Sequence, residues 1–262
     1  MTQQATQTEV QELEIPVPDV SQLVTEDDTP VDNIFSERQM RLLPDVLYAS
    51  WKGPGDGRPF IALADVALYY TASVPPFVPD VLVSLDVQLP ENVMKKEHRS
   101  YFMWLYGKPP DVVVEIVSNR EGGELGNKLR GYARLGITYY IVYDPELHLS
   151  KQSLKVHELR GGRYVELQDY WLEAVGLGVT LWQGEYEGLT AEWLRWCDID
   201  GELYATGVEA ANEAQAQATQ ERQRAEEGWQ RVEQERERAE QERERSERLA
   251  AQLRALGIEP EA

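Results

Sequence analysis

The order of apolar and polar positions divides this chain into three stretches. Residues 1–33 are polar and acidic, with Pro16, Pro18 and Pro30 and few aromatics, which predicts a flexible acidic arm. From 34 to 207 apolar residues come in short runs broken by Gly and Pro, the pattern of a packed domain. From 208 to 258 they thin to one position in seven among charges.

In the middle stretch, Ser36-Glu37-Arg38-Gln39 is a capping-box pattern with Ser36 as N-cap. It opens a helix through Met40, Leu42 and Leu43 toward Trp51, with Pro44 as the point of a break or kink. After the turn Gly53-Pro54-Gly55-Asp56-Gly57, residues Phe60 to Tyr70 read as one long or bulged strand. Two apolar runs led by proline follow, Pro79-Asp80-Val81-Leu82-Val83-Ser84 and Pro110-Asp111-Val112-Val113-Val114-Glu115-Ile116-Val117-Ser118. Both read as strands, since Pro sits well only at a strand's start or edge. Leu125, Leu129, Tyr132 and Ala133 have helical spacing, Gly136 stops that helix, and Tyr139 to Tyr143 is a strand closed by Asp144-Pro145. The order is helix, three strands, helix, strand, which predicts an α/β domain with a mixed sheet flanked by helices. Added C-terminal strands are expected near 154–159, 164–167 and 178–182, with a hairpin joining Trp193–Cys197 to Glu202–Tyr204 through Asp200-Gly201.

The tail places Ala211, Ala218, Ala225, Val232, Ala239, Ser246 and Leu253 in one heptad register, which predicts a long charged helix. The complementary position holds Glu221, Gly228, Glu235 and Glu242 and turns apolar only at Leu249 and Leu256. Three readings stay open: a solvated helix that pairs only near its end, a homo-oligomeric coiled coil, and a helix that docks another protein.

Composition narrows the function. The 262 residues are 42% hydrophobic, enough for a packed core, and no apolar run approaches the roughly 20 residues that span a bilayer. With one cysteine, Cys197, and a polar N-terminus without a leader pattern, a cytoplasmic location is expected. The net charge of −20 divides as −8 over residues 1–33, −6 over 34–200 and −6 over 201–262. A domain at −6 lacks the basic footprint of a tight nucleic-acid binder, so any DNA contact must be local or depend on a metal ion.

The chemistry lies in the proline-led strands. Hydrolysis of a phosphodiester requires a divalent ion, magnesium or manganese, whose oxygen ligands converge within about 2.1 Å of it. Asp111 and Glu115 are four residues apart on one strand, roughly 13 Å at ~3.3 Å per residue, and cannot chelate one ion. Asp80, on another strand, would lie beside Glu115 if the two strands are neighbours, and the Ile116 carbonyl could add a third oxygen. An acid after Pro at a strand entry also bonds the turn backbone commonly, so Asp80 alone decides little. Glu115 decides more, because it sits among Val112, Val113, Val114, Ile116 and Val117, and a buried acid without a partner is costly. Lys128 follows in the helix that can return it to the strand, where it would orient or help deprotonate water and screen developing charge. Lys95, Lys96 and Arg99 in one loop, and Arg130 and Arg134 on the helix, are the candidate phosphate contacts.

Taken together these segments resemble a known family. The helix and strand order resembles the core of the PD-(D/E)xK nuclease superfamily. Pro110–Ser118, Lys128-Leu129-Arg130-Gly131-Tyr132-Ala133-Arg134-Leu135-Gly136-Ile137 and Tyr139–Pro145, preceded by Val78-Pro79-Asp80-Val81, look like the Uma-type restriction endonuclease family over about residues 34–205. The charged tail resembles that of one branch of it. The resemblance implies a restriction-endonuclease-like fold, a divalent metal on Asp80 and Glu115, and Lys128 as the superfamily's lysine, migrated from the position that Val117 occupies. It implies a DNA substrate. The alternative is a catalytically silent fold of this type that acts as a binding or assembly module through the 208–258 helix.

Overall fold

The computed structural model describes residues 18–25, 33–55, 57–119 and 123–255; most of the expected acidic arm lies outside them. Helix α1 (Ile34–Ser50) buries Ser36, Gln39, Met40, Leu42, Leu43, Val46 and Leu47, a broad stripe at the three- and four-residue spacing of an amphipathic helix. Its N-cap is Asn33 and not Ser36: the Asn33 Oδ1 accepts from the Ser36 amide at 2.9 Å, and Ser36 lies inside the first turn. Pro44 does not break the helix, which runs through it to Ser50.

Six strands make the main sheet, β1 (Phe60–Ala64), β3 (Val81–Leu85), β5 (Val112–Ile116), β6 (Tyr139–Tyr143), β7 (Leu154–Arg160) and β8 (Arg163–Leu167), in the spatial order β1-β3-β5-β6-β7-β8. Within this sheet, among the described residues, only β5 and β6 run parallel, and the helix α3 (Leu129–Leu135) crosses between them, as a parallel connection requires. Between Phe60 and Tyr70 the chain is not one strand. Asp65 turns at φ 53 with its amide bonded to the Asp80 carbonyl, and β2 (Leu68–Tyr69) leaves to pair with β4 (Tyr101–Phe102) in a separate two-stranded sheet, followed by the single-turn helix α2 (Met103–Tyr106). Without this insertion the order is α1-β1-β3-β5-α3-β6, a mixed α/β arrangement consistent with a restriction-endonuclease-like fold.

The central strands are buried on both faces. One face, through Val81, Val83, Val112, Val114, Ile116, Tyr139 and Ile141, packs against α1 and a three-stranded sheet. That sheet is β9 (Trp171–Leu172), β10 (Leu177–Tyr186) and β11 (Leu189–Cys197). Gln39 ties α1 to it, bonding both the amide and the carbonyl of Leu194. The opposite face, with Leu82, Val113, Val117, Tyr140 and Val142, packs against α3 and the β2–β4 pair. The expected hairpin at Asp200-Gly201 is present but short: Cys197 and Leu203 form one antiparallel bridge, with the Asp198 amide on the Glu202 carbonyl and the Tyr204 amide on the Trp196 carbonyl. The long hairpin of this region joins β10 to β11 through Glu187-Gly188, both at positive φ as a two-residue turn of that hand demands. Cys197 is buried in β11 with its Sγ over Gly178, where an added Cβ would stand only 2.8 Å from the sulfur.

Between Gly207 and Val208 the chain divides into two units. The second is the helix α4 (Gly207–Ala255), about 73 Å long at ~1.5 Å per residue. Its described side chains are almost all exposed, including Trp229, Val232 and Leu249, and Glu227–Arg231 and Glu244–Arg248 pair four apart. Among the described residues no helix is long and apolar enough to cross a membrane.

Candidate functional site

Register brings the first two acids together. Val81 pairs with Val114 and Leu82 with Val113, so one step further out Asp80 stands opposite Glu115 at the mouth of the β3–β5 ladder. Alternation along the strands puts Asp80 with Leu82, and Glu115 with Val113 and Val117, on the α3 face. Asp80 Oδ2 accepts the Ile116 amide at 2.5 Å. A strand residue's N–H and C=O leave on the same edge, so the Ile116 carbonyl faces the side where Asp80 lies. Asp111 is occupied elsewhere. Its Oδ2 accepts from the Leu85 amide at 2.8 Å and from Lys108 Nζ at 2.6 Å, which ties the entry of β5 to the exit of β3.

Glu115 is 1% exposed, and both of its oxygens are engaged from the helix side. Lys128 Nζ donates to Oε2 at 2.8 Å and the Tyr132 hydroxyl donates to Oε1 at 2.6 Å. A left-handed Gly123 (φ 70) starts one π-helical turn, Glu124–Lys128, which runs directly into α3. The turn puts Lys128 against Glu115, and Tyr132, four residues on, against the same carboxylate. Gly131 between them makes room for Phe77, whose ring an added Cβ would strike and which packs on Tyr132 at 4.8 Å between centroids.

The electrostatics follow from burial. Desolvation first, and then the Asp80 charge, push the Glu115 pKa up to about 7, against partial relief from Lys128 and Tyr132. Burial by itself lowers the pKa of Lys128, but Glu115, Glu124 and Asp80 together outweigh it and raise it, so the amine is an ammonium. Burial and Glu115 hold the Tyr132 hydroxyl protonated.

The remaining candidates are spread over two places. Lys95 precedes a 3₁₀ turn (Lys96–His98), Lys96 Nζ donates to the Ser21 carbonyl at 2.7 Å, and Arg99 Nε donates to the Met94 carbonyl at 3.0 Å. On α3, Arg130 donates to Asn127 at 2.7 Å and Arg134 is exposed in the last turn. Two residues next to the acids are not among the candidates that spacing picks out. Tyr132 is legible in sequence only as an apolar position of its helix. Glu124, 3.5 Å from Lys128, looks there like an ordinary i,i+4 ion pair.

Among the described residues no group of three or more His, Cys, Asp or Glu side chains is arranged to hold a metal ion. Two carboxylates and a backbone carbonyl nevertheless suit a hard divalent cation, because magnesium keeps several waters and takes only one or two protein carboxylates. The repulsion between Asp80 and Glu115, visible in the raised pKa of the latter, is what such a cation would relieve. Comparison with protein families gives a match to the Uma2 model, described as putative restriction endonuclease, over residues 26–175. Curated proteins give no match.

Proposed function

The chain belongs to the Uma2 family of restriction-endonuclease type, and from that premise we propose that it is a divalent-metal-dependent endonuclease that hydrolyses phosphodiester bonds of DNA in the cytoplasm. One observation carries the reading: a glutamate buried in the central strand has a lysine and a tyrosine on its two oxygens and an aspartate on the neighbouring backbone amide. Nothing in the packing of a sheet calls for that group of charges.

Asp80, Glu115 and the Ile116 carbonyl would hold magnesium or manganese, which supplies water activation and charge stabilisation at phosphorus. Tyr132 fixes the Glu115 carboxylate in one orientation. Lys128, with 30% of its side chain exposed, can reach both the carboxylate and a bound phosphate. As an ammonium it orients water and screens charge on the phosphoryl oxygens, and it does not serve as the base. Lys95, Lys96, Arg99, Arg130 and Arg134 are the candidates for holding the DNA backbone.

A second reading, a silent nuclease-like fold used for binding or assembly, is favoured by the net charge of −20 and the exposed heptad helix α4, which would pair with a second copy. Purified protein is to be incubated with supercoiled plasmid and with single-stranded DNA in magnesium or manganese, beside Glu115→Ala and a chelator. Cutting abolished by both controls supports the nuclease; a folded protein that cuts neither substrate supports the assembly module.

A further inference from the structure

Glu124 is a buried acid beside the Asp80–Glu115 pair. It is 6% exposed, its Oε1 lies 3.5 Å from Lys128 Nζ, and its buried Oε2 has no hydrogen-bond partner. A carboxylate oxygen kept from water without a donor is costly, and such an atom in a folded protein calls for a reason. Its backbone is fixed as well. It opens the π-helical turn after the left-handed Gly123, and the Tyr140 hydroxyl donates to its carbonyl at 3.0 Å. Lys128 thus stands between two acids, 2.8 Å from Glu115 and 3.5 Å from Glu124, and an ammonium has three protons to share between them.

We propose that Glu124 is the positioning residue of Lys128, the carboxylate that holds its ammonium at the rim of the site when the oxygens of Glu115 are given to a divalent cation. This rests on the metal-dependent reading above. Glu115 Oε2 cannot be the anchor of Lys128 and a metal ligand on equal terms. With Glu124 present, a small shift moves the ammonium onto an oxygen that has an acceptor position unused. Without Glu124, Lys128 either stays on Glu115 and competes with the cation or swings toward solvent. Glu124 touches Lys128 and not the phosphate, so its effect is exerted through the lysine.

The test uses the full chain labelled with ¹⁵N and follows the Lys128 Nζ signal, identified by its loss in K128M, with and without saturating Mg²⁺. Wild type is expected to keep a slowly exchanging ammonium signal in both conditions. E124Q should keep it without Mg²⁺ and lose it with Mg²⁺, and its kcat for DNA cleavage should fall about 10–100-fold at little change in KM. Should E124Q not fold, E124D carries the same comparison, with a signal that weakens only when Mg²⁺ is added. A Lys128 signal indifferent to Mg²⁺ in the Glu124 variant overturns the assignment. So does a loss of Mg²⁺ affinity on adding E124Q to K128M, which would make Glu124 a ligand. Calorimetry separates the two levels of failure: wild type that binds no Mg²⁺ sinks the metal site and this role together. Mg²⁺ binding that E115Q abolishes, with a Lys128 signal that E124Q leaves alone, sinks the role of Glu124 only.

Discussion

Glu115 has almost no contact with water, and its pKa in the folded chain, about 7, stands above its ordinary value of 4.5. Between those two values the folded chain keeps a proton that the unfolded chain has released. The stabilisation this gives is fully present below 4.5, declines as pH rises and is gone above about 7; at 1.36 kcal/mol per pKa unit it amounts to ~3 kcal/mol. Urea unfolding from pH 5 to pH 8 should therefore show stability falling, and Glu115→Gln should flatten the curve. A wild-type curve parallel to that of the variant would refute the account. Tyr132→Phe removes the donor to Glu115 Oε1, at a cost of ~1–3 kcal/mol. A hydrogen bond to the ionised carboxylate is the stronger one, so that loss should be larger at pH 8 than at pH 5. The same titrations on the variant give the answer, and a pH-independent loss would contradict it.

Among the elements, α3 carries Tyr132 and, one residue before its start, Lys128, so its seating on the sheet governs the site. Gly131→Ala drives a methyl group into the Phe77 ring and should cost ~1–3 kcal/mol by overpacking, with a comparable loss of activity as the helix lifts. Phe77→Leu added to it should restore part of the melting temperature; no recovery would mean that the ring is not what the methyl meets. Much of this layer is legible from residues alone. β3, β5, β6 and the helix after β5 follow from apolar runs with Pro and Gly at their ends, and the closeness of Glu115 to Lys128 follows from a helix crossing between parallel strands. The rest depends on contacts that no local pattern records. Asn33 displaces Ser36 as cap only because of where the chain enters the helix. The break at Asp65 is set by a bond to Asp80, which lies fifteen residues on. Glu187-Gly188 lacks the Asn or Asp that marks a hairpin, and nothing in the spacing of Glu124 and Tyr132 distinguishes a surface ion pair and an apolar helix position from two groups turned onto a buried carboxylate site.

On the scale of the whole molecule, a chain at −20 has few cations to spend on a polyanion. Six candidates remain, Lys95, Lys96, Arg99, Lys128, Arg130 and Arg134, and at about −0.9 per neutralised phosphate the slope of log K against log salt should be no steeper than about −5.4. Fluorescence anisotropy with labelled DNA measures it, and Lys95→Glu with Lys96→Glu should make it shallower by about two; a steeper wild-type slope would reveal contacts elsewhere. The buried sulfur of Cys197 has a consequence of another kind. It is the one thiol in the chain, it lies against Gly178 across the β10–β11 hairpin, and burial, then Asp198, raise its pKa. A thiol reagent gains full access to it when the end of β11 opens, from Gly178 on one side or from Leu203 on the other, so the colour released by a disulfide dye is a stopwatch for the breathing of this corner of the three-stranded sheet, built into the native chain and readable without a label.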